Sequence, residues 1–246
     1  MSPEEAETKL ADFTIHSVGE LARLDLGRRS RKGIPEIIFA ENKTPSETFL
    51  IARAMVEKTS AAIVTRVNSA HIKKMRSLSR KYELRHYGKA RIVVVKKRNR
   101  PNSLAQGHVG VLSAGTSDIP VAEEARIVAH ELGCRVFTAY DVGIAGLHRL
   151  VEPLGQMSQN NVDVCVVVAG MEGALPSIVA GLVDFPIIGV PASTGYGFGG
   201  KGETALMSML QSCSLGLAVV NIDNGVAAGA LAALIAQRVA SARKIH

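Results

Sequence analysis

The sequence predicts an α/β protein: a doubly wound parallel sheet with a smaller N-terminal α/β domain. Three observations predict it. Between residues 107 and 246, short apolar runs alternate with helical patterns five times. The chain has no Trp, is only 4% aromatic and is rich in Ala, Val and Gly, which suits small and branched side chains packed around a sheet. Charge is split: residues 1–105 hold 22 Lys/Arg against 11 Asp/Glu, whereas residues 106–246 hold 7 against 11. The break falls at Lys96-Lys-Arg-Asn-Arg-Pro-Asn102, which reads as a basic linker. A basic domain, 1–102, is therefore expected before a sheet domain, 103–246.

In the N-terminal part a helix is expected from Ser17 to about Leu26. Thr44-Pro-Ser-Glu47 is a capping box with Pro at the first helical position, opening a helix to about Lys58. Ala61–Thr65 reads as a strand, Ser69–Tyr82 as a basic helix and Ala90–Val95 as a second strand. The run from Asp25 to Glu36 gathers Arg28, Arg29, Arg31 and Lys32. Such charges suit phosphates, and equally a solvated basic face.

The C-terminal part opens on Gly107-His-Val-Gly-Val-Leu-Ser-Ala-Gly-Thr-Ser-Asp118. Val109, Val111 and Leu112 form a buried strand, small residues and hydroxyls break it, and a helix follows with Ser117 or Asp118 as N-cap. Gly133 stops that helix. The next strands are Arg135–Thr138, Val162–Ala169, Pro186–Val190 and Leu217–Ile222. The helices after them begin near Ala145, run Leu175–Leu182 and Glu203–Ser212, and end with an Ala-rich segment. The sheet is of flavodoxin-like size, and ligands bind such sheets at the carboxyl ends of the strands.

Several classes are excluded on this reading. The start, MSPEEAETKLADF, is polar and acidic, unlike a signal peptide. The longest apolar stretch, Gly225–Ala236, is too short to span a bilayer, so no membrane partner is expected. Three cysteines without a pairing pattern suit a reducing cytoplasm, and no CxxC or HExxH spacing points to zinc. The basic half lacks aromatics and any nucleic-acid-binding motif, which argues against nucleic acid.

The loops at the carboxyl edge hold the chemistry-bearing residues. The first, with Ser113, Gly115, Thr116, Ser117 and Asp118, ends at a helix N-terminus and suits ribose or phosphate. Asp141 follows the second strand, and Gly170-Met171-Glu172-Gly173 follows the third. The segment Gly195–Gly202 matches GxGxxG at Gly195, Gly197 and Gly200 but follows the fourth strand, so it reads as a flap. Asn221, Asp223 and Asn224 follow the fifth strand, and Asp141 and Asp223 serve caps or loops as readily as catalysis. Cys134 and Cys165 read as inert core residues. Cys213, after a helix C-terminus, reads as a partly buried structural thiol unless a cationic substrate stabilises its thiolate.

The blocks GVLSAGTSDIPVAEEA, DVGIAGLHR, VVVAGMEGALPSIVAGLV, SMLQSC and VVNIDNG, with DLGRRSRKGIPEIIF and NKTPSE before them, resemble the LarB family of nickel-pincer nucleotide cofactor biosynthesis. The sheet domain is also similar to the aminoimidazole ribonucleotide carboxylases and mutases of purine synthesis. Those enzymes carry a His where Ala174 stands and a Ser-Ala-His-Arg block where Thr138-Ala-Tyr140-Asp141 stands. The LarB resemblance implies carboxylation of C5 of the pyridinium ring of nicotinic acid adenine dinucleotide and hydrolysis of its phosphoanhydride. The products would be pyridinium-3,5-biscarboxylic acid mononucleotide and AMP. It implies Cys213 as covalent nucleophile, Glu172 as base, CO2 or bicarbonate as co-substrate, Mg2+ on carboxylates such as Asp118 or Asp141, and a homo-oligomer, an octamer in related carboxylases. A purine-type carboxylase or mutase and a non-catalytic nucleotide sensor are the alternatives.

Overall fold

The computed structural model describes residues 13–99 and 107–243; the polar N-terminal segment, residues 1–12, and linker positions 100–102 lie outside the described residues. The chain divides into two compact units, residues 1–102 and 103–246.

The N-terminal unit opens differently from expectation. Ser17–Leu26 is not helical. β1 (Ile15–Val18) and β2 (Ala22–Asp25) form an antiparallel hairpin. Gly19 takes φ +52° and the Leu21 N–H closes the turn on the Val18 carbonyl at 3.0 Å. Beyond that turn, Leu24 is buried and Arg23 exposed, the two-residue alternation of a strand rather than a helical stripe. A short helix, α1 (Arg28–Lys32), follows. The Thr44 capping box forms as read: the Glu47 N–H donates to Thr44 Oγ1 and the Thr44 N–H to the Glu47 carboxylate, opening α2 (Pro45–Thr59). That hydrogen bond from the Thr44 N–H is the largest cause lowering the Glu47 pKa.

A sheet of order β3-β4-β6-β5 supports these helices. Its strands are β3 (Ile38–Phe39), β4 (Ala61–Thr65), β5 (Glu83–Tyr87) and β6 (Ile92–Lys96). The long basic helix expected from Ser69 ends early. α3 (Ser69–Met75) gives way to a 3-10 turn and then to β5, which pairs in register with β6 from Glu83↔Lys96 to Tyr87↔Ile92.

The C-terminal unit is a five-stranded parallel sheet, order β11-β10-β9-β7-β8. Its strands are β7 (His108–Ser113), β8 (Arg135–Ala139), β9 (Val164–Ala169), β10 (Ile187–Pro191) and β11 (Leu217–Val219). Read from the chain's first strand in this unit, that is the 2-1-3-4-5 order of flavodoxin-like folds, which places the topological switch point between β7 and β9. The helices are α4 (Ile119–Glu131), α5 (Val151–Gln159), α6 (Leu175–Ala180), α7 (Glu203–Leu210) and α8 (Gly225–Arg243). β9 and β10 are buried along their whole length, as central parallel strands covered on both faces must be.

The final helix extends past the expected Ala236. At 19 residues α8 is long and apolar enough to cross a membrane by length and composition, and 39% of its most apolar window is buried inside the fold. Its glycines allow a close seat on α4: a Cβ at Gly225 would lie 2.2 Å from the Val121 carbonyl oxygen, and one at Gly229 2.4 Å from that of Ala125.

Candidate functional site

The loops after β7 and β9, one on each side of the switch point, and those after β8 and β10 wall a cavity of about 350 Å³ at the carboxyl edge of the sheet. Its size is near the lower limit for small-molecule sites, roughly 300–1,000 Å³. Of the residues expected there, Gly115, Ser117, Asp118, Asp141, Gly170, Met171 and Glu172 line it.

Asp118 is the centre of the first loop: it stands at the N-cap position of α4, as expected, but makes no side-chain bond into that helix. Its backbone is already helical, and its buried carboxylate reaches back to the Gly115 N–H at 2.8 Å through Oδ2. Oδ1 accepts from the Thr194 hydroxyl at 2.6 Å, tying the first loop to the glycine-rich one. Gly170 passes between them: a Cβ there would meet Thr194 Oγ1 at 2.4 Å. Glu172 is exposed on the mouth, beside Met171 at φ +45°.

Asp141 stands at φ +60°, its N–H donating to the buried Ser113 hydroxyl at 3.3 Å. Its carboxylate pairs with Arg149 at 3.1 Å. The preceding residue, Tyr140, donates to Glu123, whose two oxygens accept from Arg126 Nε–H and Nη2–H at 2.6 and 2.9 Å. Burial, then the hydrogen bond to Glu123, drives the Tyr140 hydroxyl well above the usual phenol range.

The expected magnesium ligands do not fit a metal. Both oxygens of Asp118 are engaged by protein donors, and Asp141 holds a guanidinium. Among the described residues no group of three or more His, Cys, Asp or Glu could hold an ion.

Other expected residues lie off the cavity wall. Ser113 is wholly buried beneath the loop. Thr116, Gly173, Gly195 and Gly197 belong to the same loops without lining the cavity, while Thr194 and Tyr196 of the glycine-rich segment do line it. Asn224 caps α8 through the Ala227 N–H at 3.0 Å. Asn221 accepts from the Ile222 N–H, and Asp223 accepts from the Ser193 N–H and hydroxyl. The last loop thus secures the β10 loop and the start of α8.

Cys213 departs most from expectation. It is exposed, not partly buried, and it does not share an edge with Glu172. α7 starts at the carboxyl edge and runs back across the sheet, so the segment after Leu210 lies at the amino edge, where the Gly216 carbonyl accepts from the first residue of β10, Ile187. Within one chain the sulfur and the carboxylate are separated by the length of a strand, roughly 15–20 Å. Cys134 and Cys165 are buried as expected; desolvation pushes the Cys134 thiol up to about 12, with Asp163 adding to it, and that of Cys165 still higher.

Arg149 is the residue that sequence reasoning passes over. It ends the block DVGIAGLHR, eight positions beyond Asp141, and only the 3-10 fold of Ile144–Leu150 brings it back over the mouth. A larger hollow of about 740 Å³ lies at the opposite edge, walled by Asp163, Asp184 and Arg243 among others. Its Asp163 joins structure, accepting from the His108 N–H and pairing with Arg243, both at 2.7 Å.

Comparison with known proteins agrees with this architecture. The AIR carboxylase family model matches residues 108–244, and the LarB/PurE-like N-terminal domain model matches residues 15–98. An uncharacterised protein of Methanocaldococcus jannaschii is 43% identical over 242 residues, covering 96% of this chain and 92% of that protein. The N5-carboxyaminoimidazole ribonucleotide mutases of Thermotoga maritima and Pyrococcus horikoshii are each 33% identical, over 132 and 129 residues. Those matches cover 52% and 50% of this chain and 73% and 69% of the mutases. With a LarB/PurE-like domain ahead of its carboxylase-like sheet, the chain belongs to the AIR carboxylase family as a LarB-type member.

Proposed function

We propose that the protein carboxylates C5 of the pyridinium ring of nicotinic acid adenine dinucleotide and cleaves the phosphoanhydride, releasing pyridinium-3,5-biscarboxylic acid mononucleotide and AMP. The observation that carries this reading is the exposed Cys213, beside two thiols that burial silences. Ala174 and Thr138-Ala-Tyr140-Asp141 stand where the purine enzymes carry histidines and an arginine, which disfavours the purine reaction.

The electron flow follows from the ring. A pyridinium carbon is too electron-poor to attack CO2. A Cys213 thiolate adding at C4 forms a carbon–sulfur bond and a neutral dihydropyridine, whose enamine makes C5 nucleophilic. C5 then bonds to CO2, leaving an iminium at the ring nitrogen and a new carboxylate. Glu172 takes the C5 proton, the enamine returns, and expulsion of the thiolate from C4 restores the aromatic cation. The cavity is sized for the mononucleotide half, with the Gly115–Ser117 loop toward ribose and phosphate. Water completes the phosphoanhydride cleavage: its oxygen bonds to one phosphorus as the bridging P–O bond breaks, leaving one phosphate on the mononucleotide and the other on AMP.

Because Cys213 and Glu172 lie at opposite edges of one sheet, the reaction needs a homo-oligomer in which one copy's Cys213 enters another copy's mouth. Apolar side chains on both edges support such a contact: Leu210 and Leu215 near the sulfur, Tyr196 and Phe198 near the mouth, all exposed.

Incubation with the dinucleotide and 13C-bicarbonate, followed by mass spectrometry, tests the proposal. One labelled carboxyl group should appear in the mononucleotide product with AMP released, and Cys213→Ala should give none. A Cys213→Ala protein as active as the parent overturns the mechanism.

A further inference from the structure

We propose that Arg149 is the anion-recognising residue of the mouth, engaging an oxyanion of the bound nucleotide. This deepens the function proposed above, because it states which chemistry of that substrate the cavity selects.

Three observations converge on this guanidinium. First, among the residues walling the cavity Arg149 is the one cation, facing Asp118, Asp141 and Glu172. A nucleotide brings phosphate, and a ring acid brings carboxylate, into a cavity whose own carboxylates repel both. Second, Arg149 is held in place. Asp141 pairs with it at 3.1 Å, and its Nε–H donates to the Gly146 carbonyl at 3.4 Å. Asp141 is in turn held by the buried Ser113, so the cation is anchored to the end of β7. Third, the chain leaves room for it: a Cβ at residue 146 would lie 2.8 Å from Arg149 Nε and 3.2 Å from Nη2. The guanidinium fills the space a side chain would take, and the φ of −155° at Gly146 is not the left-handed conformation that would itself favour glycine.

The chemistry suits the task. The guanidinium is planar, permanently charged and able to hold a carboxylate or phosphate through two parallel N–H donors, whereas lysine offers only a point charge. The Asp141 and Arg149 side chains are 52% and 38% exposed, so the pair faces solvent and an incoming oxyanion can share the guanidinium. Asp141 is thereby a positioning residue for the arginine.

Calorimetric binding to the full-length protein tests this with ligands that differ by one anion. Nicotinic acid mononucleotide carries carboxylate and phosphate, nicotinamide mononucleotide phosphate alone, and nicotinic acid riboside carboxylate alone; aminoimidazole ribonucleotide carries phosphate on an unrelated ring. Arg149→Ala should weaken the best-bound of these by about tenfold or more, the scale of a charged hydrogen bond. Arg149→Lys should recover only part of it. If the arginine holds the ring carboxylate, the parent's preference for the acid over the amide collapses in Arg149→Ala. If it holds phosphate, the preference for nucleotide over riboside collapses instead. Gly146→Ala provides a second variant: the obstructed atoms are the end of a flexible side chain, so the fold should persist while the guanidinium is displaced and affinity falls in the same pattern. Binding of the aminoimidazole ribonucleotide alone, lost in Arg149→Ala, would overturn the pyridinium reading and leave Arg149 in its role. Equal affinities in parent and Arg149→Ala, or no binding of any of the four by the parent, overturn the assignment of Arg149.

Discussion

Burial sorts the three thiols into two chemistries. Desolvation holds Cys134 at about 12 against an ordinary 9.0. At pH 8 its thiolate is therefore about a thousandfold scarcer than that of an unperturbed cysteine. A disulfide reagent added to the native protein at pH 8 should modify one thiol rapidly, at Cys213, and the other two only after denaturant; three fast thiols would contradict the burial. The same shift links stability to pH. The folded state keeps the Cys134 proton more tightly than the unfolded chain, so its contribution is complete below about pH 9 and is lost as pH climbs towards 12. Melting temperature should fall over that window, less steeply in Cys134→Ala. The inert character of Cys134 and Cys165 was legible in the sequence, because both adjoin or occupy apolar strands. The exposure of Cys213 was not, because Ser-Cys-Ser between a helix and a strand is compatible with either side of the surface.

Among the elements, α8 shows how composition dictates approach distance. Its Ala and Gly positions let its backbone come close to that of α4, which larger side chains would prevent. Gly229→Ala places a methyl against the Ala125 carbonyl, where neither backbone can yield freely. An overpacking cost of about 1–3 kcal/mol is expected, lowering the melting temperature by several degrees with the sheet order intact. An unchanged melting temperature would show that the two helices do not sit this closely. The sheet itself was readable because each strand of the C-terminal unit is an apolar run bounded by Gly, Pro or small polar residues. The N-terminal hairpin was misread because Ser17–Leu26 has helical-looking spacing of Leu and Ala, while Gly19 at positive φ decides the matter locally. β5 was missed for a related reason: Glu83-Leu-Arg-His-Tyr87 is polar, and its strand character comes from pairing with β6, not from its own residues. At the mouth, Glu172 and Asp118 were identifiable from strand-end position alone. Arg149 was not, since its place depends on how a 3-10 segment turns back over the sheet.

At the level of the whole molecule, a parallel sheet imposes a separation that no side-chain rearrangement removes. Every βα loop gathers at one edge and every αβ loop at the other, so Glu172 and Cys213 belong to opposite ends by topology. A covalent mechanism using both therefore requires two copies, and this requirement has a consequence that a single-chain site lacks. Glu172→Gln and Cys213→Ala should each be inactive when assembled alone, yet each retains one competent half. Mixing the two variants under conditions that let subunits exchange should restore part of the carboxylation. With one Glu172→Gln and one Cys213→Ala copy at a shared site, one of the two pairings joins an intact carboxylate to an intact sulfur, so random mixing should recover on the order of a quarter of the parental rate per site. The measurement is labelled bicarbonate incorporation before and after exchange, with each variant alone as the baseline. Recovery would place the sulfur and the carboxylate on different copies. Activity that stays at the baseline, while native mass spectrometry shows mixed assemblies, would mean that no neighbour supplies the missing group.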